Sequence, residues 1–146
     1  MKSRRVLAAL VLAMLASLVL ALPVSAVGPL ATLETHLTGE KEVPGPGDPD
    51  GTGHAVVEVF RTEVCYTLEV RRIAPATAAH IHLGFRDEAG PVVVTLNPPT
   101  DGSSSGCTLI PRALSLGLRE HPGRYYVNVH NERFPNGAIR GQLHRP

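Results

Sequence analysis

An all-β fold, a Greek-key immunoglobulin-like sandwich or barrel of about eight strands with one short helical segment, is predicted by two features. Short runs rich in Val, Thr, Leu and Tyr recur along the chain, and clusters of Gly, Pro, Asp and Ser punctuate them. Strands are predicted over Ala31 to Leu37, His54 to Arg61, Val64 to Val70, Thr77 to Leu83, Pro91 to Leu96, Gly106 to Ile110, Arg124 to His130 and Ala138 to Leu143. Clean alternation in the third of these puts Tyr66, Leu68 and Val70 on the core face and Cys65, Thr67 and Glu69 outside. The run Pro91 to Val94 is apolar throughout, so it reads either as buried on both faces or as a strand end under a loop. Pro111 to Glu120 departs from the β pattern: a leading proline and leucines at helical spacing suit a short helix, which Gly117 weakens. Pro44 to Gly53 and Asn97 to Gly106, with its three serines, read as loops, and Asn136-Gly137 as a tight turn.

Ahead of this pattern, Lys2, Arg4 and Arg5 precede an apolar run from Val6 to Leu22 and the small-residue sequence Pro23-Val24-Ser25-Ala26. That is the layout of a secretory signal peptide over residues 1–26, leaving residues 27–146 as one domain with no membrane span after cleavage. The product is expected to be secreted or held in the cell envelope. The leader holds three of the 14 basic residues and none of the acidic ones, so the remainder carries 11 basic against 13 acidic groups, net −2. Such a mixed, mildly acidic domain has no electrostatic footprint for nucleic acid. Cys65 and Cys107 are the only cysteines, and in an oxidising compartment they are expected to form a disulfide.

The chemistry of this chain concentrates in its histidines. In Ala78-Ala79-His80-Ile81-His82 the strand period of two turns His80 and His82 to the same side. Tyr125-Tyr126-Val127-Asn128-Val129-His130-Asn131 supplies a third, His130, if the two strands are neighbours. Three neutral imidazoles with no thiolate suit a transition metal, copper first because Cu(II) tops the divalent affinity order, with zinc as the alternative. The competing reading is a metal-free hydrogen-bonded layer shared with Asn128 and Thr77. His54 is a weaker candidate as a fourth ligand, and His36, His121 and His144 read as surface residues. Asn128 lies on the same strand face as His130 and is placed to orient a histidine. Arg140, a charge between Ile139 and Gly141 in a strand-like run, needs a partner if buried; it and Glu42 are read as an ion pair or carbonyl clamp, or as a supporting group and anion guide beside the metal. Asp48-Pro49-Asp50-Gly51 lacks the distant glutamate of a calcium loop and reads as a solvated turn. Ser103 to Ser105, although flanked by Gly102 and Gly106, read as a loop without an evident base, and no phosphate loop is present, so hydrolase and nucleotide readings have little support.

Three separated segments carry a family resemblance: Leu37-Thr38-Gly39-Glu40-Lys41-Glu42-Val43-Pro44, Ala78-Ala79-His80-Ile81-His82-Leu83-Gly84, and Tyr126-Val127-Asn128-Val129-His130 followed by Phe134-Pro135-Asn136-Gly137-Ala138-Ile139-Arg140-Gly141-Gln142-Leu143. In their order and content the chain resembles the CHRD domain family, named from chordin and also found singly in exported bacterial proteins. The resemblance implies an immunoglobulin-like β fold and an extracellular protein or surface partner besides any metal ion. It implies no settled activity. His80, His82, His130 and Arg140 are also similar in order and type to the copper half of copper-zinc superoxide dismutase, which would make the domain a copper redox enzyme. Only His121 lies between His82 and His130, so the zinc half of such a site is missing.

Overall fold

The computed structural model describes residues 28–146; the signal peptide expected over residues 1–26 lies outside them. Eight strands form one sheet: β1 (Ala31–Thr38), β2 (Thr52–Val59), β3 (Glu63–Arg71), β4 (Ala76–Leu83), β5 (Val92–Leu96), β6 (Ser103–Leu109), β7 (Tyr125–Asn131) and β8 (Ile139–Gln142). Among the described residues the single α-helix, α1 (Arg112–Glu120), lies between β6 and β7. The strand order is β5-β4-β7-β8-β1-β2-β3-β6, and every pairing is antiparallel.

The two edge strands meet and nearly close the sheet into a barrel. Asn97, just after β5, donates its amide nitrogen to Ser105 O on β6 at 3.2 Å, while Ser104 Oγ donates to Asn97 O at 2.7 Å. The Tyr66 hydroxyl, from β3, accepts the Asn97 backbone N–H at 2.7 Å. Across this seam the order runs β7-β4-β5-β6, three successive strands with the fourth returning beside the first, which is the Greek-key arrangement. Closure also covers edges that would otherwise pair with other chains.

Period-two alternation fills the interior. Leu33 and Leu37 from β1, Val57 and Val59 from β2, Tyr66, Leu68 and Val70 from β3, Ala79 and Ile81 from β4, and Val127 and Val129 from β7 are all buried in one cluster. Each fully buried Leu, Ile or Val contributes about 1.5–3 kcal/mol of transfer free energy. Val92 is exposed and Val94 buried, so the apolar run after Pro91 is an edge strand with one face inward, and its reading as buried on both faces is corrected. The three serines, expected in a loop, instead begin β6: Ser103, Ser104 and Ser105 pair with Glu69, Leu68 and Thr67 of β3. Small polar side chains suit this position because the strand has its ladder on one side and the Asn97 bridge on the other.

In α1, Leu118 is fully buried and Ser115 Oγ donates to Phe60 O at 2.6 Å, pinning the helix over the barrel end. Gly117, which weakened the helical prediction, has a packing reason: a Cβ there would lie 2.2 Å from the Tyr125 hydroxyl oxygen. Cys65 and Cys107 face each other across β3 and β6 and form a disulfide on the outer side of the sheet, as expected from the alternation. Among the described residues no helix is long and apolar enough to cross a membrane.

Candidate metal centre

Strands β4, β7 and β8 are neighbours, and their registers line up one outward face. Across β4 and β7, His80 stands opposite Asn128, His82 opposite Tyr126, and Ala78 opposite His130. Across β7 and β8, Asn128 stands opposite Arg140 and Tyr126 opposite Gln142. The inward face of the same strands is Ile81, Val127 and Val129, all fully buried, so the histidines are mounted on a packed apolar wall. Their own face is covered by three connections: residues 42–51 between β1 and β2, 84–91 between β4 and β5, and 132–138 between β7 and β8. This cover explains why nearly all of β7 is buried on both faces.

The structure brings His80, His82 and His130 together, with one ligating atom from each lying within 4.8 Å of the other two. His80 Nδ1 is 3.2 Å from His130 Nε2. Ligands on a tetrahedral metal with bonds of ~2.0–2.1 Å stand about 3.3 Å apart, so this pair is already spaced for one ion.

Backbone carbonyls set the tautomers of two rings. His82 Nδ1 donates to Gly90 O at 2.8 Å, and His130 Nδ1 donates to Pro135 O at 3.0 Å. A carbonyl can only accept, so each Nδ1 carries the proton and each Nε2 presents a lone pair. Such hydrogen bonds from the far nitrogen are the usual support of a ligating imidazole. Without metal, His80 Nδ1–H donates to the His130 lone pair. His82 Nε2, however, is buried and has no hydrogen-bond partner. Burial lowers the pKa of all three histidines, and mutual repulsion adds to this at His80 and His82. They are therefore held neutral, the form that binds metal.

Two further residues shape the cluster. The Tyr126 ring stacks on His82 with centroids 4.7 Å apart and planes 7° from parallel, and its hydroxyl accepts the Gly90 N–H at 3.0 Å. Gly90 thus holds His82 through its carbonyl and Tyr126 through its N–H. A Cβ at Gly90 would fall 1.7 Å from Leu83 O, so no other residue fits this close crossing. Tyr126 was legible in the same period-two pattern as His130, whereas nothing in the local sequence pointed to Gly90.

The other sequence candidates lie elsewhere. Asn128 does not orient a histidine: it donates its amide to the Glu42 carboxylate, which the β1–β2 connection carries over it. Glu42 is buried, and burial pushes its carboxyl up to about 7 despite Arg140 nearby and the bonds from Asn128 and Val43. Glu42 makes no ion pair with Arg140, since the only contact within 4.0 Å between a basic side chain and a carboxylate among the described residues is His54 Nε2 to Glu34 at 3.9 Å. The carbonyl-clamp expectation fits Arg140, which is 1% exposed and donates from Nη2 to Phe85 O at 2.7 Å. Its guanidinium carbon sits 3.5 Å from the Tyr126 ring centroid. Because β7 lies between β4 and β8, Arg140 and His82 approach Tyr126 from opposite sides. His54 stands on β2 against His36 and away from the trio. Asp48, expected to be solvated, is buried: its N–H donates to Ala138 O at 2.8 Å, drawing the loop down onto the sheet. His121 is the residue that ends α1 and does not join the cluster.

Comparison with known proteins agrees with this architecture. No curated protein and no solved structure matches the chain, but the profile of the CHRD domain matches residues 33–143, which span all eight strands but for the first two residues of β1. The chain belongs to the CHRD domain family.

Proposed function

We propose that this CHRD domain binds one transition-metal ion, copper in preference to zinc, through His80, His82 and His130. The observation that carries the reading is the orphaned lone pair of His82 Nε2, buried in one cluster with the imidazoles of His80 and His130. A purely structural histidine layer satisfies its nitrogens internally, and an unmet buried acceptor costs about 1–3 kcal/mol. A metal ion removes that cost and uses the tautomers the carbonyls impose. Three nitrogen donors and no thiolate favour Cu(II) on ligand type and on the divalent affinity order. Three protein ligands also leave a fourth position for water or an exogenous group.

The reading is one of binding rather than dismutation. The guanidinium that would guide an anion to the metal lies across Tyr126 from His82 and is tied to Phe85 O. Placement outside the cytoplasm fits the leader pattern of residues 1–26 and a disulfide in the domain of residues 27–146.

Calorimetric titration of the domain with Cu(II) and with Zn(II) tests the proposal. One site per chain, tighter for copper and weakened at least a hundredfold in His82→Ala, is the expected result. An affinity unchanged by that substitution overturns it.

A further inference from the structure

On the side of Tyr126 away from the histidines, the outer face of β1 and β8 and the connections beside them enclose a pocket of about 190 Å³. Its walls include Lys41, Arg86, Arg140, Gln142, His36 and His144. None of the three clustered histidines lines it. The cations come from separate parts of the chain: Lys41 from the turn after β1, Arg86 from the β4–β5 connection and Arg140 from β8.

These cations lack counter-ions. Among the described residues no Lys or Arg nitrogen lies within 4.0 Å of a carboxylate oxygen. Glu42 and Asp87 act on Arg140, and Glu40 on Lys41, only from farther away. Lys41 Nζ donates to His36 O, which leaves two of its three protons free, and burial, with the nearby Arg86 charge adding to it, lowers its pKa. Arg140 is the more telling residue. It is 1% exposed, one terminal nitrogen is held by Phe85 O, and the other, Nη1, is buried without any hydrogen-bond partner. A buried guanidinium with an unmet donor is costly unless an acceptor reaches it. Planar, forked donors suit carboxylate and phosphate oxygens above all other acceptors.

We infer that this pocket is a binding site for a small oxyanion of the phosphate or carboxylate type, held by Lys41 and Arg86 at its rim and by Arg140 in its wall. The site is separate from the metal centre and does not need the metal. It gives Arg140 a role that a strand residue tied only to a carbonyl would not require.

The test uses the metal-free domain in low-salt buffer, titrated with inorganic phosphate and separately with succinate, followed by amide and guanidinium NMR shifts. Saturable shifts at Lys41, Arg86, Arg140 and Gln142 with at least one probe are expected, at least tenfold weaker in Lys41→Ala/Arg86→Ala. Both substituted side chains are exposed, so this variant keeps the fold, which the unchanged spectrum of the core reports. Saturation by phosphate alone or by succinate alone assigns the anion class. Shifts that stay linear with both probes, or an affinity the double variant leaves unchanged, overturn the inference.

Discussion

Tyr126 divides one face of the sheet into two regions of opposite chemistry. On the β4 side, His82 stacks against the ring and belongs to a cluster of three neutral imidazoles, its own Nε2 lone pair unmet. On the β8 side, Arg140 lies against the same ring and three cations surround a pocket. The first region has an unmet acceptor and the second an unmet donor, yet both lie on neighbouring strands of one sheet, β4 and β7 for the first and β8 and β1 for the second. The difference arises from what covers them. Carbonyls of Gly90 and Pro135 take the protons of two histidines, whereas the guanidinium has only Phe85 O for its several N–H groups.

Removing the partition has the largest expected effect. Tyr126→Ala deletes a buried ring that packs on both sites and is expected to cost about 3–5 kcal/mol in urea unfolding while weakening copper binding. Tyr126→Phe keeps the ring and loses only the bond from Gly90 N–H, so about 1 kcal/mol is expected, with copper affinity little changed. If both variants behave alike, the hydroxyl rather than the ring organises this face.

Next in size is a perturbation that touches neither region. Cys65→Ala/Cys107→Ala opens a loop of 42 residues and is expected to lower stability by about 3–4 kcal/mol, read from the same unfolding curves. Copper stoichiometry should remain unchanged in the folded fraction. A smaller, site-directed effect is expected of Gly90→Ala, whose Cβ forces the carbonyl behind His82 to move. A loss of ten- to a hundredfold in copper affinity is expected by calorimetry.

The smallest effect concerns Glu42. Its carboxyl titrates near 7 in the folded protein and near the ordinary 4.5 when unfolded, so the native state holds the extra proton between those values. The stability this provides is full below about 4.5 and is lost as pH rises through about 7. The histidines act in the opposite sense, because a lowered imidazole pKa costs stability as pH falls through it. Glu42→Gln should therefore raise the melting temperature at pH 8 relative to the parent and flatten its decline between pH 5 and 8. A parallel decline in both proteins would place the titration elsewhere.

How much of this was legible in the sequence differs between the two regions for a physical reason. The His80 and His82 pair follows from strand periodicity alone, and His130 joins it because β7 pairs with β4 one diagonal step away. Alternation also assigned the inward face of β3 and the outward disulfide. The anion pocket draws Lys41, Arg86 and Arg140 from three non-adjacent segments, and no local period signals such a meeting. The same holds for Asn128, whose partner Glu42 arrives on a loop, and for Asp48, buried by a backbone bond to Ala138. His36 and His144 are exposed, as their sequence reading expected, and only the packing of β1, β8 and the Arg86 loop makes them part of a pocket.

The central claim is that the three clustered imidazoles hold one metal ion. Mass-spectrometric metal content of the domain after copper loading and desalting, beside His80→Ala/His130→Ala, tests it most directly. One copper per chain in the parent and none retained in the variant is the predicted result. Metal-free protein in both, or copper retained equally by both, would contradict it.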